Sequence, residues 1–494
     1  MTDYVKAIPT SGKTTANDGY RMVELPGAWP VLGHTVRAIR DPLRFLRSLP
    51  AHGDLVKVRV GVVNAVVVCN PTLMAQMLRN DQVFPRGGEI NLRQQHAAGQ
   101  PFTIRQKADH RMQRRLITAA FHVAREPRYA SRASEEVDNV LSTWRDGQVI
   151  DARDEMSRIT LGVLFANLFD RNLPESAKSQ YIHDVRTVFR VIMKHAFMPA
   201  VLTKLPTPEN RRYERACRRL SQAAHKLVAE QQAGIANDDN LVAVLLSARD
   251  ADATSPDKPV QLSAIEVHDN VLGFIYSGFH TTASTLSWTL HALSQRPDLQ
   301  ERLHAEIDSV LGDTPAAIDA FPKLILTRSV VTETLRHHSP AWLFSRSVAT
   351  DADLGGHPIP AGTTIVWSPY MLHHRADFFP DPEHYDPDRW IDHGGTVQPT
   401  AGTYIPFSAG PRKCIAESFA LTEATLSLVK IVSRWRVEPA PGPPVRPTFG
   451  MFMTPENLRL RLTARATRRR TPAPNESSST GPVSVCPHIQ GDDG

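Results

Sequence analysis

Cysteine is scarce in this chain of 494 residues, which has four: Cys69, Cys217, Cys414 and Cys486. Their wide separation excludes a disulfide framework and a zinc site made of closely spaced cysteine pairs. A reducing compartment is the simplest fit to such usage. No run approaches the roughly 20 apolar residues of a membrane-spanning helix, and the N-terminal stretch is polar. These absences predict a soluble, cytoplasmic protein without a membrane anchor.

Charge of one sign is only slightly in excess. The formal net charge is +6, spread over a long chain. The basic residues do not cluster with aromatic residues, so nucleic-acid binding is not predicted. A surface that docks an acidic protein remains compatible with this charge.

The apolar patterning predicts a mainly α protein with small β-sheets, in one domain over residues 21–465. Residues 1–20 are a polar, flexible lead, and residues 466–494 have the composition of a disordered tail. The longest helix candidate covers residues 263–294 and is apolar on nearly every side, so it should run through the core. A later helix is predicted from about 414 to 434.

Cys414 stands at the start of that later helix, in the stretch FSAGPRKCIA. Gly410 permits an unusual backbone angle and the close approach of a flat ligand. The helix dipole, with Arg412 and Lys413 just before the cysteine, would stabilise a thiolate. The sequence therefore predicts an easily ionised thiol, which would act as a nucleophile or a metal ligand. An inert buried cysteine is the alternative at this point.

An ordered set of motifs surrounds this cysteine. Glu333 and Arg336 lie three residues apart in ETLR, a spacing that by itself is typical of a surface ion pair. Downstream come DPDRW and then a segment in which Phe407, Gly410, Arg412 and Cys414 fit the pattern F-x-x-G-x-R-x-C. Over about residues 22–465 the chain resembles the cytochrome P450 family of haem-thiolate monooxygenases.

The resemblance implies a fold and a role for each matching residue. Haem b would lie between the long central helix and the cysteine loop, with Cys414 as the axial ligand of its iron. Glu333 and Arg336, with Arg389, would form an internal structural ion network. The residues expected to bind the cofactor are His110, Arg114, Arg346, Phe407, Arg412 and Cys414, of which His110 and the three arginines would bond the haem propionates.

The stretch SGFHTT departs from the family pattern. Gly278 would leave room for oxygen and substrate, and Thr281 matches the threonine that helps to deliver protons to oxygen. His280 stands where the family usually has an acid. It is either a proton relay, because imidazole titrates near neutrality, or a core histidine satisfied by the backbone. Ala416 replaces the usual glycine two residues after the cysteine.

The resemblance also implies a substrate class and partners. The expected pocket is mainly apolar and draws on residues 86–104, Phe274, Ile275, Gly278, residues 341–344 and residues 449–453. It suits a hydrophobic substrate. A looser resemblance to actinobacterial terpene oxygenases suggests a terpenoid, with fatty acids, macrolides and other secondary metabolites as alternatives.

Electrons would come from NAD(P)H through a ferredoxin reductase and an acidic ferredoxin. The ferredoxin would dock on a rim of Arg111, Arg115 and Lys413, and the chain would be a monomer. Two other functions remain open: a haem-thiolate enzyme that catalyses oxidative coupling or isomerisation without inserting oxygen, and a non-enzymatic haem sensor.

Overall fold

A computed structural model gives the fold. It describes residues 19–121, 126–196, 198–235, 240–249, 261–312, 314, 318–391 and 402–465. The predicted tail and all but the last two residues of the predicted lead lie outside these ranges.

Helices dominate the described residues, so the predicted mainly α class is confirmed. They are α1 (Thr35–Arg40), α2 (Pro42–Ser48), α3 (Pro71–Arg79), α4 (Glu89–Ala98), α5 (Lys107–Thr118), α6 (Glu126–Leu141), α7 (Ala152–Phe169), α8 (Glu175–Ala196), α9 (Ala200–Thr203), α10 (Pro208–Gln232), α11 (Leu241–Ser247), α12 (Ala264–Ser277), α13 (His280–Ser294), α14 (Pro297–Leu311), α15 (Ile325–His337), α16 (Pro369–His373) and α17 (Glu417–Arg434).

The strands form small sheets. They are β1 (Met22–Glu24), β2 (Leu55–Val60), β3 (Val63–Val68), β4 (Val149–Asp151), β5 (Phe344–Ser347), β6 (Ala352–Leu354), β7 (His357–Ile359), β8 (Thr364–Trp367), β9 (Trp435–Pro439), β10 (Arg446–Phe449), β11 (Met453–Glu456) and β12 (Arg459–Ala464). The main sheet has the order β1-β2-β3-β8-β5, and a second one has the order β4-β12-β9. In the main sheet β3 pairs with β8 in parallel, Val66 opposite Ile365, although about 300 residues separate them.

Three apolar clusters make up the core. One packs α4, α5, α7, α8 and α10–α12 together, and a second joins α6, α13–α15 and α17 to the sheet of β9 and β12. The third fills the space between the main sheet and helices α2, α3 and α16. Helix α7 contributes to both helical clusters, so its residues 156–169 are buried on nearly every side.

The predicted single helix over 263–294 is instead two helices, interrupted at Gly278 and Phe279. The first begins with a capping box, in which Ser263 and Glu266 bond each other's backbone N–H groups. Beyond the break, the hydroxyl of Thr281 donates to the carbonyl of Ser277 at 3.3 Å. Side-chain hydroxyls that bond a carbonyl one turn earlier are associated with bent helices, and this bond spans the break.

Candidate active site

A cavity separates the break between α12 and α13 from the loop before α17. Gly278 and Thr281 line one side of it, and Phe407 and Cys414 line the other. The core helix and the cysteine segment, over 130 residues apart in sequence, therefore face each other as predicted.

The cysteine loop is held in shape by its backbone. The N–H of Cys414 donates to the carbonyl of Phe407 at 2.9 Å, and that of Lys413 donates to Gly410 at 3.0 Å. Gly410 has a φ of +70°. A Cβ there would lie 2.3 Å from the carbonyl oxygen of Leu78, at the end of α3. The neighbour that requires this glycine is thus the backbone of α3 rather than a flat ligand.

The predicted easy ionisation of Cys414 is wrong for the protein alone. Helix α17 begins at Glu417, so the cysteine precedes it by a further turn. Its side chain opens onto the cavity, but protein encloses that cavity, and burial raises the pKa of the thiol despite the nearby Arg114 and Lys413. A coordinating metal ion deprotonates a thiol outright, so ionisation here would follow metal binding.

Four arginines converge on the rim of the cavity: Arg86, Arg114, Arg346 and Arg412. Burial, and then the mutual repulsion with Arg412, lowers the pKa of Arg86 to about 10. Burial, followed by repulsion from Arg86 and Arg412, lowers the pKa of Arg346 to about 9. Asp81 pairs with Arg412 at 3.2 Å, but one carboxylate leaves most of this positive charge uncompensated.

His110 lines the same rim and stacks on Phe102, with ring centroids 6.1 Å apart. Burial and then the surrounding arginines lower its pKa to about 3, so the ring is neutral at pH 7. Two buried nitrogens at this rim, His110 Nδ1 and Arg412 Nη2, have no hydrogen-bond partner within the described part of the chain. The rim therefore presents two unpartnered polar nitrogens and excess positive charge to a ligand with anionic oxygens.

Sequence reasoning missed Arg86 as a member of this set. Arg86 and Arg346 are brought together by an isolated antiparallel bridge between their backbones. No local motif marks a lone arginine whose partner lies 260 positions away, so no sequence signal could have found it.

The Glu333–Arg336 network is confirmed, and neither side chain is exposed to solvent. Arg336 makes two bonds to Glu333, at 2.7 and 2.8 Å, and donates to the carbonyls of His373, Pro382 and His384. Glu333 also accepts from the N–H of Asp386, Nε of Arg389 and Nε1 of Trp390. The pair thus ties α15 to the irregular segment 380–390.

On the opposite side, Gly278 lines the cavity at the break between α12 and α13. A Cβ at Gly278 would lie 2.5 Å from Cδ1 of Leu164 and 2.6 Å from the carbonyl oxygen of Phe274, so the glycine lets this break lie close to α7. Thr281 lines the cavity directly, beside Ser277, Thr282 and Thr285.

His280 is not among the residues that line the cavity. Its ring packs against Phe189, Phe279 and Phe452, with centroids 5.5–5.8 Å away. Burial, followed by repulsion from Arg186 and Arg153, lowers its pKa to about 3. The expectation that this imidazole titrates near neutrality is therefore wrong, because an aromatic cluster cannot solvate its charged form.

The predicted substrate pocket is partly correct. Phe274, Ala341, Leu343 and Phe344 line the cavity, as do Met451, Phe452 and several residues of the segment 86–104. Ile275 does not, because it points into the helical core. Sequence reasoning missed the contributions of α7 and α8, which are Leu164, Leu168, Phe189 and Ile192.

The family model described as cytochrome P450 matches residues 23–461, nearly all of the described chain. The chain is a cytochrome P450. It is 40% identical to the pentalenene oxygenase of Streptomyces avermitilis over 442 residues, which cover 89% of this chain and 97% of that protein.

Two further relatives of this P450 come from Streptomyces melanosporofaciens. Cyclooctat-9-en-7-ol 5-monooxygenase is 39% identical over 84% of this chain and 90% of its own, and cyclooctatin synthase is 37% identical over 89% and 95%. The haem domain of cytochrome P450DA has the same fold, with a TM-score of 0.79, 20% identity, and coverage of 91% of this chain and 99% of that one. The chain is thus a P450 monooxygenase whose relatives include terpenoid oxygenases.

The site of this P450 fits the haem iron that the family uses. Cys414 supplies one sulfur on the floor of the cavity, and the rim offers two unpartnered polar nitrogens and four cations that could pair with two propionates. Ala416 has a φ of −101°, which alanine adopts without strain, so the departure from glycine costs the loop nothing. In the described part of the chain, no helix is long and apolar enough to cross a membrane.

Proposed function

We propose that this monooxygenase inserts one oxygen atom from O₂ into a terpenoid, with electrons supplied by a ferredoxin. The observation that supports it most is the wall opposite Cys414, where α7, α8 and the turn at Met451 and Phe452 offer apolar side chains. Such a wall binds hydrocarbon surface and excludes water from the reacting position. The relatives named for pentalenene and for cyclooctat-9-en-7-ol point to the same substrate class.

When bound, the haem supplies the oxygen activation and C–H oxidation, and the protein supplies ligand, orientation and protons. Cys414 would hold the iron through Sγ. His110, Arg114, Arg346 and Arg412 would hold the propionates, and Arg86 adds a fifth group to this set. Phe407, whose carbonyl accepts from the N–H of Cys414, would pack against the haem. Thr281 Oγ1 lies at the cavity surface and donates to the carbonyl of Ser277 at 3.3 Å, and this hydroxyl would turn from that long bond to pass a proton into the cavity.

The substrate class is tested with a panel of sesquiterpene and diterpene skeletons, each offered as hydrocarbon, alcohol and methyl ether. Binding is measured by calorimetry on the haem-loaded protein. Turnover is then followed with ¹⁸O₂, ferredoxin and reductase. A terpenoid product that carries one labelled oxygen atom supports the proposal. Binding of fatty acids or macrolides alone contradicts the terpenoid assignment, and a product without new oxygen favours the coupling or isomerisation alternative.

Thr281 rather than His280 should control proton delivery. We expect Thr281→Ala to lower the fraction of electrons that reaches product by about 10²-fold, the size of a lost general-acid contribution, with the rest diverted to peroxide. His280→Phe should keep coupling near the wild-type value, since a phenyl ring fits the cluster of Phe189, Phe279 and Phe452. Peroxide and product are measured per NAD(P)H consumed. Strong uncoupling in His280→Phe alone would restore His280 as the relay.

The ferredoxin is proposed to dock beside α5. Arg111 and Arg115 are exposed and four residues apart, so they share a helix face. The neighbouring Arg114 fixes α5 to the cysteine loop by donating to the carbonyl of Lys413 at 2.8 Å. Lys413 forms an ion pair with Glu417, which reduces its pull on an acidic partner.

Charge reversal tests this face. Arg111→Glu and Arg115→Glu should each slow reduction by ferredoxin by about tenfold at low salt, and less as salt rises, because both act by steering. Lys413→Glu should have a smaller effect than Arg111→Glu, because Lys413 already pairs with Glu417. Lys57→Glu, at an exposed position on β2, is the control and should change nothing. Stopped-flow reduction rates that ignore both salt and these reversals would place the docking face elsewhere.

A further inference from the structure

The substrate side of the cavity contains one amide that its protein neighbours do not satisfy. Gln94, on α4, lines the cavity, and its Oε1 is buried without a hydrogen-bond partner among the described residues. Its Nε2 donates to Sδ of Met451 at 3.1 Å, across the mouth of the same cavity. A thioether sulfur accepts but cannot donate, which fixes the nitrogen toward Met451 and leaves the oxygen as the unmet group.

Several hydroxyl groups that line the cavity already donate their protons to backbone carbonyls. Ser277 donates to Gly273 at 2.8 Å, Ser345 to Gly87 at 2.8 Å and Tyr276 to Ala97 at 3.3 Å. Thr285 likewise donates to the carbonyl of Thr281, one turn earlier, at 3.0 Å. These four side chains therefore offer a ligand lone pairs rather than protons.

Asn91 shows the contrast on the same helix face, one turn before Gln94. Its Nδ2 donates to the carbonyl of Gly87 at 2.6 Å and lies within 3.4 Å of both oxygens of Ser345. The amide nitrogen of Asn91 therefore links α4 to β5, and it is not available to a ligand. A buried carbonyl oxygen such as Gln94 Oε1 lowers the stability of the complex unless it accepts a hydrogen bond. A pure hydrocarbon has no donor group for such a bond.

We infer that the terpenoid substrate already carries a hydroxyl group, which donates to Gln94 Oε1 and sets the orientation of the skeleton. The inference rests on the proposed terpenoid function and narrows it to alcohols. The enzyme would then act after another oxygenation or a hydrating cyclisation had installed that hydroxyl. Gln94 is a specificity-determining residue in this scheme and takes no part in the chemistry.

The test uses the skeleton that binds most tightly in the panel above, as alcohol, methyl ether and hydrocarbon. The ether keeps the oxygen but has no proton to donate. Wild-type protein should bind the alcohol about tenfold or more tightly than the ether, the effect of leaving a buried acceptor unmet. Gln94→Leu should reduce that ratio to about twofold or less and should bind the hydrocarbon more tightly than wild type does.

Gln95→Leu is the matched control, since Gln95 is the next residue of α4 and does not line the cavity. It should keep the wild-type ratio. Calorimetry supplies every affinity, and thermal unfolding confirms that both variants fold. Equal affinities of the wild-type protein for alcohol and ether would overturn the inference. Gln94 Oε1 would then accept a hydrogen bond from water rather than from the substrate. An unchanged ratio in Gln94→Leu overturns it too. If no terpenoid binds at all, the failure lies with the proposed function.

Discussion

Cys414→Ser should abolish the long-wavelength absorption band of the reduced carbon monoxide complex, together with monooxygenase activity. A serine hydroxyl is a harder and less charge-donating ligand than a thiolate, so it cannot support oxygen cleavage in the same way. Loss of groups that merely orient a metal ligand costs about 10–100-fold, and loss of the ligand itself should exceed about 100-fold. The spectrum of the reduced complex and turnover of a bound terpenoid measure the two effects.

Cys217→Ser is the control for this substitution. Cys217 is a buried cysteine on α10 next to Tyr213, and it does not line the cavity. Its replacement should leave the band and the turnover near wild-type values. If Cys414→Ser retained the band, another group would have to be the iron ligand, and the assignment of the cavity floor would be wrong.

The second large effect is expected at the buried ion network. Glu333→Ala should leave the guanidinium of Arg336 enclosed without its countercharge and orphan three further donors, from Asp386, Arg389 and Trp390. Breaking one side of a buried pair costs about 3–5 kcal/mol, a large part of the total stability of about 5–15 kcal/mol. Arg336→Ala should cost a similar amount, because Glu333 would then keep a buried charge.

Haem content after expression and the urea midpoint of unfolding measure this loss. Asp298→Asn removes the exposed partner of Arg296 and serves as the control, with an expected change of about 1 kcal/mol or less. Glu333→Gln should lie between the two, since the amide keeps the shape and loses the charge. Full haem loading in Glu333→Ala, with a midpoint equal to that of Asp298→Asn, would show that the network is dispensable.

The substitutions at Cys414 and at the Glu333–Arg336 pair should change different measured properties. Cys414 is the residue proposed to hold the haem iron, so its replacement should change the spectrum while the rest of the chain stays folded. Glu333 and Arg336 do not line the cavity and act by fixing segment 380–390. Their replacement should reduce the amount of folded protein without changing the band of whatever folds.

Chemistry encoded by neighbours in sequence could be predicted from the sequence. The pattern from Phe407 to Cys414 needs only a turn before a helix, and Glu333 and Arg336 need only one helical turn, so local geometry fixes both. The position of α12 and α13 in the core also followed from their apolar character on nearly every side.

Only the tertiary structure shows which side chains are buried, which way they point and which distant residues they contact. Thr281 and His280 are adjacent, but successive helical residues point about 100° apart, so packing against Phe189 and Phe452 determines which one faces the cavity. Enclosure by distant segments raises the pKa of the Cys414 thiol against the expectation from its neighbours in sequence. The fold brings Arg86 next to Arg346 and Gln94 next to Met451, although more than 250 residues separate each pair. No local sequence pattern predicts such contacts.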